Sequence, residues 1–355
     1  MKKRIRILVV GCGHMGTSHA RAYQKMPDFE IVGVVSRGAD SRDRLVRELG
    51  GGVAAFDSFE RAMAETKPEA VSINTYPDTH APFASQALDA GAHVFVEKPL
   101  AETVPAARAI VDLAGRTGRK VVIGYILRHH DSWIRFVELA RTLGTPLVMR
   151  MNLNQQSSGA EWATHKQLLQ SLSPIVDCGV HYVDIMCQIT RSPPIRVHAI
   201  GARLTDEIRP EMYNYGQLQV VFADGSVGWY EAGWGPMMSE TAYFVKDVIG
   251  PNGSVSIVSP DVGRSADVAS HTKTNLLRLH HSRLAASGEF ATKDELLDMT
   301  SEPSHQELCD REQAFFLKAI RENLDLAEHW EDAVKSLQIV LAADQSVRTG
   351  RVVSL

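Results

Sequence analysis

The feature that most constrains the fold is an alternation of short apolar runs with amphipathic stretches over residues 5–125. Apolar strands that alternate with helices pair in parallel through right-handed crossovers and form a doubly wound sheet. The alternation therefore predicts an α/β domain over residues 1–125. The predicted strands are IRILVVG (5–11), EIVGVVS (30–36), AVSINT (70–75), HVFVEK (93–98) and KVVIGY (120–125), and the predicted helices cover 14–26, 41–49, 58–66, 80–90 and 104–117.

The pattern changes after residue 125, where longer runs of alternating polarity follow. Asp224-Gly225 and Asn252-Gly253 each separate two such runs, which is a hairpin signal. We therefore predict that residues 126–355 form an α+β domain built on a large, mostly antiparallel open β-sheet, with one face left for a partner, ligand or second subunit. The helices predicted in this part cover 132–142, 175–189, 305–322 and 330–349.

Composition narrows the classes of function. Hydrophobic residues make up 44% and charged residues 23% of the 355 residues, and the formal net charge is −4, as in ordinary globular proteins. There is no long basic run, so nucleic acid is a poor candidate partner, and no apolar run near the ~20 residues that span a bilayer, so no membrane partner is expected. The four cysteines form no C-x-x-C pair, which favours free thiols in a reducing cytoplasm, and we expect no metal site.

Glycines follow directly on the first predicted strand. Gly11, Gly13 and Gly16 form a G-x-G-x-x-G motif, with His14 and Met15 before the last glycine, and the motif opens a predicted helix. The first glycine permits a tight turn, the second lets backbone approach a pyrophosphate, and the third lets the helix pack on the strand. This context favours a Rossmann domain that binds a dinucleotide through these residues. A plain glycine turn, or the loop of a methyltransferase that binds an adenosyl cofactor, is the alternative.

The end of the second strand bears on the choice between NAD and NADP. Ser36 and Arg37 stand where an NAD-selective domain usually offers a carboxylate to the ribose 2′-hydroxyl, and Asp40 comes only later. A hydroxyl and a guanidinium suit a 2′-phosphate. We therefore predict that Ser36 and Arg37 contact the cofactor and that NADP is slightly favoured over NAD. The alternative is that Arg37 is a solvated loop residue.

Two groups of titratable residues are candidates for catalysis. Lys98 follows a strand end, where ligands of a doubly wound sheet bind, so we expect it at the reactive end of the cofactor and not in a surface pair with Glu97. Asp177 and His181 lie four residues apart on one predicted helix, among apolar neighbours. A buried carboxylate and imidazole need partners or a ligand. A core histidine satisfied by Asp177 is an equal alternative, and a metal site that adds Asp184 is disfavoured.

Lys98, Asp177 and His181 together supply what the oxidation of an alcohol requires. One group must take the hydroxyl proton while hydride leaves carbon for the nicotinamide. His181 suits proton exchange at neutral pH. A Lys98 ammonium stabilises alkoxide character on the substrate oxygen, and Asp177 orients the imidazole or binds a neighbouring hydroxyl. These residues therefore predict hydride transfer at a CH–OH group.

Several segments give the chain a resemblance to a known family. GCGHMG (11–16), NTYPDTH (74–80), VEKPL (96–100) and DCGVHYVD (177–184) together resemble the motifs of the Gfo/Idh/MocA family, which includes glucose–fructose oxidoreductase and inositol dehydrogenase. Residues 315–355 are similar to the family's closing helices and last strand, so the resemblance spans essentially the whole chain. The segment LLQSLSPIV, which precedes Asp177 and borders the substrate, departs from the family because it has no glycine.

The resemblance implies roles for further residues. Arg128 resembles the arginine that opens the family's second domain, where it would contact substrate, and the peptide before Pro99 is expected to be cis. Family substrates are mostly sugars, polyols and their derivatives, oxidised or reduced at a secondary hydroxyl, and members are often homodimers or homotetramers packed through the open sheet. The residues expected at the nicotinamide half of the cofactor are Thr75, Tyr76, His80, Glu97 and Lys98.

Trp162 is a second candidate for substrate contact. It lies in the polar segment SSGAEWATHK (157–166), which we expect to be a loop. The favoured function is thus an NAD(P)-dependent oxidoreductase that acts on a sugar, cyclic polyol or sugar derivative. One alternative is an NAD-dependent glycosidase or epimerase that uses transient oxidation. The other is a non-catalytic NAD(P)-binding regulator, which has no need of a proton-transfer set.

Overall fold

The computed structural model describes residues 3–239, 245–258 and 274–355. The chain divides into two compact units. The first consists of Met1–Ile126 and Ser304–Val334, and the second of Leu127–Pro303 and Lys335–Leu355. The domain boundary predicted near residue 125 lies close to Ile126, where the chain first passes from the first unit to the second. The return of Ser304–Val334 to the first unit is absent from the sequence prediction.

The N-terminal part of the chain alternates strands and helices as predicted. The strands are β1 (Ile5–Val10), β2 (Phe29–Val35), β3 (Ala55–Phe56), β4 (Ala70–Ile73), β5 (His93–Val96) and β6 (Val121–Ile123), and the helices are α1 (His14–Lys25), α2 (Ala39–Glu48), α3 (Phe59–Thr66), α4 (His80–Asp89) and α5 (Val104–Thr117). All strand pairs are parallel, in the order β3-β2-β1-β4-β5-β6. The prediction of a doubly wound Rossmann sheet is therefore confirmed.

Local signals fix where these helices begin and end. Ser58 and Thr103 cap α3 and α5, because each side-chain oxygen accepts a hydrogen bond from a backbone N–H of the first turn. Gly118 ends α5 at a φ of +65°, a conformation that glycine adopts without steric cost.

The remaining elements follow in chain order. They are α6 (Asp131–Ala140), β7 (Val148–Gln156), α7 (Gly159–Leu168), α8 (Pro174–Asp177), α9 (Gly179–Thr190), β8 (Pro194–Ala202), β9 (Tyr215–Phe222), β10 (Val227–Gly235), β11 (Lys246–Gly250), β12 (Gly253–Val258), β13 (Leu276–His281), β14 (Glu295–Asp298), α10 (His305–Arg321), α11 (Ala327–Thr349) and β15 (Val353–Ser354). None of the described helices is long and apolar enough to cross a bilayer.

The second unit is built on a nine-stranded sheet in the order β14-β13-β12-β11-β7-β10-β9-β8-β15. Among the described strands of this sheet only the β7–β10 pair is parallel, so the prediction of a mostly antiparallel sheet is confirmed. Asp224-Gly225 connects β9 to β10, and Asn252-Gly253 leads from β11 into β12, as the hairpin signals predicted.

Two local predictions in the second unit were wrong. Residues 157–166, expected as a loop, are largely the helix α7; its single buried residue is Trp162, so no apolar stripe reveals the helix in the sequence. The helix predicted over 175–189 is two helices, α8 and α9, separated at Cys178. The Gly179 backbone packs on the Tyr230 ring, where an added Cβ would lie 2.8 Å from a ring carbon.

Helix α10 belongs to the first unit because of its apolar face. Phe316 stacks on Phe29, with ring centroids 6.5 Å apart, and its ring lies 6.2 Å from that of Phe95. The helix begins at a capping box, in which Ser304 and Glu307 each bond the other's backbone N–H. The ring contacts of Phe316 join residues more than 200 positions apart, which sequence periodicity alone does not reveal.

Candidate functional site

The glycine motif lies where the strand order of the first sheet reverses, between β1 and β4. Gly11 has a φ of +92°, and a Cβ added to it would lie 2.4 Å from the carbonyl oxygen of Asn74. A Cβ on Gly16 would lie 1.9 Å from the carbonyl oxygen of Gly11, whereas a Cβ on Gly13 would meet nothing within 4 Å. The fold itself therefore requires Gly11 and Gly16. Gly13 leaves open, exposed backbone at the N-terminus of α1, which fits a pyrophosphate.

The other predicted cofactor residues of this loop lie beside Gly13. His14 is exposed and Met15 is half-buried, and the His14 ring centroid lies 5.5 Å from that of His305 on α10. Both residues begin α1, so they lie at the N-terminus of the helix, the end that favours anions.

The end of β2 is basic. Ser36 Oγ lies 3.1 Å from Ser41 Oγ, and Arg37 is exposed. The Arg42 guanidinium donates to the carbonyl oxygens of Ser36 and Arg37. Asp40, the first acidic residue after β2, lies in the first turn of α2. Hydroxyl and guanidinium groups therefore lie where the ribose 2′-group of the cofactor is predicted to bind.

The segment after β4 is tied to the segment after β5. His80 is fully buried, with Nδ1 2.7 Å from the carbonyl oxygen of Pro99 and Nε2 3.0 Å from that of Thr75. Burial lowers the pKa of His80, although both carbonyls act in the opposite direction. Thr75 Oγ1 also lies 2.6 Å from Thr79 Oγ1, and Tyr76 is exposed. Thr75 and Tyr76 thus lie on the same rim as the glycine motif.

The Glu97–Lys98 turn directs its two side chains differently. Glu97 is buried; its Oε1 lies 2.7 Å from His19 Nε2, and its Oε2 accepts the backbone N–H of Lys98 at 3.3 Å. Gly124 makes room for this carboxylate, because a Cβ there would lie 3.2 Å from Glu97 Oε2. Lys98 is half-buried, and the Lys98–Pro99 peptide is cis, as expected.

In the second unit, Asp177 ends α8 and His181 lies in the first turn of α9, and both are half-buried. The Cys178 thiol between them lies 3.5 Å from Asp177 Oδ2 and 3.3 Å from Gln155 Oε1. The Trp234 indole N–H donates to the same Gln155 oxygen at 2.7 Å. Residues from β7 and β10 therefore hold the turn that presents the predicted acid–base pair.

His165 is a neighbour of Asp177 that the sequence pattern did not predict. Its ring stacks on Trp234 at 4.6 Å and 7°, and its Nδ1 lies 2.9 Å from Ser157 Oγ. Burial lowers the pKa of His165 to about 4, and the nearby Asp177 charge opposes this effect. The ring is therefore neutral at neutral pH. An α-helical reading of residues 159–168 would have placed His165 one turn from Trp162.

Trp162 lies in a buried cluster with Leu169, Ile208 and Trp234. Its indole N–H donates to Glu207 Oε1 at 3.2 Å. The structure therefore gives Trp162 packing neighbours inside the second unit, and a contact with substrate stays a prediction.

Arg128 forms a two-bond ion pair with Asp184. Its Nε donates to Oδ2 at 2.8 Å and its Nη2 to Oδ1 at 2.6 Å, and Gln188 Nε2 also donates to Oδ2 at 3.0 Å. The side chain of Asp184 is 1% exposed and that of Arg128 is 14% exposed. Asp184 is thus held by Arg128 and Gln188, one helical turn beyond His181.

Replacing Arg128 with alanine is expected to lower the free energy of unfolding by about 3 kcal/mol, because it leaves the Asp184 carboxylate buried without its cation. Arg128→Lys recovers only part of this loss, since an ammonium lacks the planar two-bond geometry. Chemical denaturation measures both. The double variant Arg128→Met/Asp184→Leu, which removes both charges, is expected to lie near the wild type; equal losses for it and for Arg128→Ala would contradict the ion-pair explanation.

The fold and the glycine motif together define the class of dinucleotide-binding Rossmann proteins: the parallel sheet carries its glycine motif at the reversal of strand order, and Lys98 follows β5 on the same rim. Comparison with known proteins places the chain more narrowly. Residues 5–125 match the family model described as oxidoreductase family, NAD-binding Rossmann fold, and residues 139–256 match the Gfo/Idh/MocA C-terminal domain. The chain belongs to the Gfo/Idh/MocA oxidoreductase family.

Individual relatives are distant. The UDP-N-acetylglucosamine 3-dehydrogenase of Acidithiobacillus ferrooxidans is 29% identical over 57% of this chain, and the match spans only 60% of that relative's length. The scyllo-inositol 2-dehydrogenase (NAD+) of Bacillus subtilis is 25% identical over 100% of this chain and 97% of its own. A Lactobacillus casei scyllo-inositol dehydrogenase, solved with NAD(H) and scyllo-inositol, superposes with a TM-score of 0.77 over 99% of both chains at 21% identity, which shows a shared fold.

Proposed function

We propose that the protein transfers hydride between a nicotinamide cofactor and a secondary hydroxyl or ketone of a sugar, a cyclic polyol or a sugar derivative. The observation that carries the proposal is the rim of the first sheet. There, open backbone at Gly13 and the partly exposed Lys98 follow two strands of one parallel sheet. The full-length relative that acts on scyllo-inositol supports this class of substrate.

The proposed roles follow from charge and proton balance. In the oxidation direction the substrate carbon loses hydride to the nicotinamide, and the hydroxyl oxygen loses a proton. His181 accepts that proton, and the Lys98 ammonium stabilises negative charge on the oxygen. Asp177 precedes His181 by four residues, across the turn between α8 and α9. It orients the imidazole or binds a neighbouring hydroxyl. The dinucleotide supplies the hydride acceptor, and Gly11, Gly13 and Gly16 shape the backbone that holds its pyrophosphate.

We also propose that the protein uses NADP somewhat better than NAD. The support is local: the end of β2 offers Ser36 and Arg37, Arg42 lies alongside, and the first carboxylate is displaced into α2 as Asp40. A guanidinium pairs well with a 2′-phosphate and gains little from a 2′-hydroxyl.

The proposal is tested by following the reduction of NAD+ and of NADP+ with a panel of inositols, hexoses and nucleotide sugars, and the oxidation of NADH and of NADPH with the corresponding ketones. Turnover of at least one polyol or sugar supports it. Absence of turnover across the panel with either cofactor, while the cofactor binds, would favour a regulator. Glycoside cleavage or epimerisation without net cofactor reduction would favour transient oxidation.

The open face of the second sheet suggests a homo-oligomer. Val227, Val148 and Ile249 lie side by side on β10, β7 and β11, and each is 37–41% exposed. An exposed apolar row across three strands is a usual feature of subunit interfaces. We propose that this face joins two or four copies of the chain.

Val148→Arg, which places a charge in the middle of this row, is expected to convert the oligomer to a species of 39.1 kDa, the mass of one chain, in light scattering. Ile134→Arg is the matched control, since Ile134 is 42% exposed on α6 and lies outside the row. If Val148→Arg and the wild type have the same oligomeric mass, this face is not the interface.

A further inference from the structure

A buried cluster of polar side chains lies behind the Glu97–Lys98 turn, inside the first unit. Its members come from the end of β5, from α1 and from α10, and each is at most 7% exposed. Apart from Glu97, the residues of this cluster have no role in the hydride transfer proposed above. The cluster consists of Glu97, His19, Tyr23, Cys309, Glu312 and Gln313.

The hydrogen bonds of this cluster run in one direction, toward Glu97. The Tyr23 hydroxyl donates to Gln313 Oε1 at 2.6 Å, and Gln313 Nε2 donates to His19 Nδ1 at 2.9 Å. Because Nδ1 accepts, the ring proton of His19 lies on Nε2, which donates to Glu97 Oε1 at 2.7 Å. The second oxygen of Glu97 accepts the Lys98 N–H. Glu97 thus accepts hydrogen bonds from at least these two donors, the environment of an ionised carboxylate.

Glu312 has the opposite environment. It is 1% exposed, and among the described residues neither of its carboxyl oxygens has a hydrogen-bond partner. Burial and the neighbouring charge of Glu97 both raise the pKa of Glu312 well above its usual range. The other titratable groups that face it are His19 and Tyr23 on α1 and Cys309 on its own helix. Two carboxyl groups that interact in a dry interior do not both ionise.

A bound cation is the obvious alternative, since potential ligand atoms of His19, Cys309 and Glu312 lie within 4.8 Å of one another. Both ring nitrogens of His19 are already hydrogen-bonded, however, and burial raises the pKa of the Cys309 thiol, which disfavours the thiolate that a metal requires. The cluster therefore favours a proton over a metal ion.

We propose that Glu312 is a positioning residue for the Glu97–Lys98 turn: it keeps the proton of a buried carboxyl pair and so leaves Glu97 as the pair's only anion. Glu97 then holds the Lys98 backbone and His19 without repulsion from α10. Loss of the Glu312 proton at high pH places a second negative charge behind the turn. Only the effect on turnover rests on the function proposed above.

The first test compares the pH dependence of unfolding in the wild type and in Glu312→Gln, which keeps the size of the side chain and is neutral at every pH. The folded chain retains a proton that the unfolded chain releases above the ordinary glutamate pKa near ~4.3. The contribution of Glu312 to the wild-type free energy of unfolding is therefore fully present below that pH and falls as the pH rises above it. From about pH 5 to about pH 8, the unfolding constant of the wild type relative to the variant is expected to rise by up to about tenfold per pH unit.

The matched control is Glu322→Gln, because Glu322 ends the same helix with its side chain 58% exposed. It is expected to leave the pH dependence of unfolding unchanged. If the ratio of the wild-type unfolding constant to that of Glu312→Gln does not vary with pH, the proposal is overturned.

The second test is infrared spectroscopy at neutral pH, which needs no substrate. The wild type is expected to show the carbonyl stretch of a protonated carboxylic acid, and Glu312→Gln to lack it. If the band is absent from the wild type, persists in Glu312→Gln, or disappears only in Glu97→Gln, Glu312 does not hold the proton. One equivalent of bound metal per chain that Glu312→Gln abolishes also overturns the proposal. If Glu312→Gln does not fold, absence of the band from the wild-type spectrum still overturns the proposal.

The positioning role has its own readout once a substrate is known. Glu312→Gln is expected to keep its kcat/KM to higher pH than the wild type, because no second anion forms behind Glu97. Identical alkaline limbs in the two pH profiles would remove the positioning role. If no substrate is ever turned over, the unfolding and infrared results still stand, so failure of the proposed function is distinguishable from failure of this inference.

Discussion

Lys98→Ala is expected to lose on the order of 10²- to 10⁴-fold in kcat while its affinity for the nicotinamide cofactor stays close to that of the wild type. The ammonium is assigned to the substrate oxygen, where negative charge develops, and the pyrophosphate is assigned to the glycine backbone. Lys98 is half-buried at the end of β5, so its removal leaves no large cavity. Turnover with the best substrate of the panel and cofactor titration by fluorescence measure the two effects separately.

Two further variants sharpen this prediction. Lys98→Arg keeps the positive charge but does not release a proton near neutral pH, so partial activity indicates charge stabilisation and full loss indicates proton transfer. Lys318→Ala is the control, because Lys318 lies on α10 with its side chain 57% exposed. If Lys98→Ala turns over at the wild-type rate, Lys98 has no catalytic role. Weak cofactor binding by the variant would instead assign the residue to the dinucleotide.

The parts of the fold that could be predicted from the sequence are those encoded locally. The glycine motif after β1, the apolar strands of the parallel sheet and the Asp-Gly hairpin between β9 and β10 each depend on a few adjacent residues. Lys98 could be singled out because a charge directly after a buried strand has few structural explanations. Periodicity and turn chemistry act over short distances, so a single sequence reports them well.

The features that were missed depend on contacts between distant residues. The Arg128–Asp184 pair joins positions 56 apart, and Gln313 meets His19 across 294 positions. Helix α7 has no apolar stripe, so its helical conformation and the position of His165 follow from packing on Trp234. Glu312 lies at helical spacing from Leu308 and Phe316, on the buried face of α10, but the carboxylate it faces belongs to the end of β5 and cannot be read from the helix pattern.

Gly13→Ala and Gly16→Ala are expected to fail in different ways, although both change one glycine of the same motif. A methyl group on Gly13 meets no atom of the residues that the structure describes within 4 Å, so the free energy of unfolding should remain near the wild-type value. The same methyl occupies the space proposed for the pyrophosphate. Cofactor affinity is therefore expected to fall by at least about tenfold, or ~1.4 kcal/mol.

In Gly16→Ala the methyl lies 1.9 Å from the carbonyl oxygen of Gly11, which is backbone and cannot move aside without separating α1 from β1. Overpacking of this kind costs about 3 kcal/mol or more, a large part of the stability of a typical domain. Thermal unfolding measures the stability of the two variants, and cofactor titration measures their affinity for the dinucleotide. A Gly13→Ala protein that is stable and still binds the dinucleotide normally would mean that the pyrophosphate lies elsewhere. A stable Gly16→Ala protein would mean that the close contact between α1 and the glycine turn is not required.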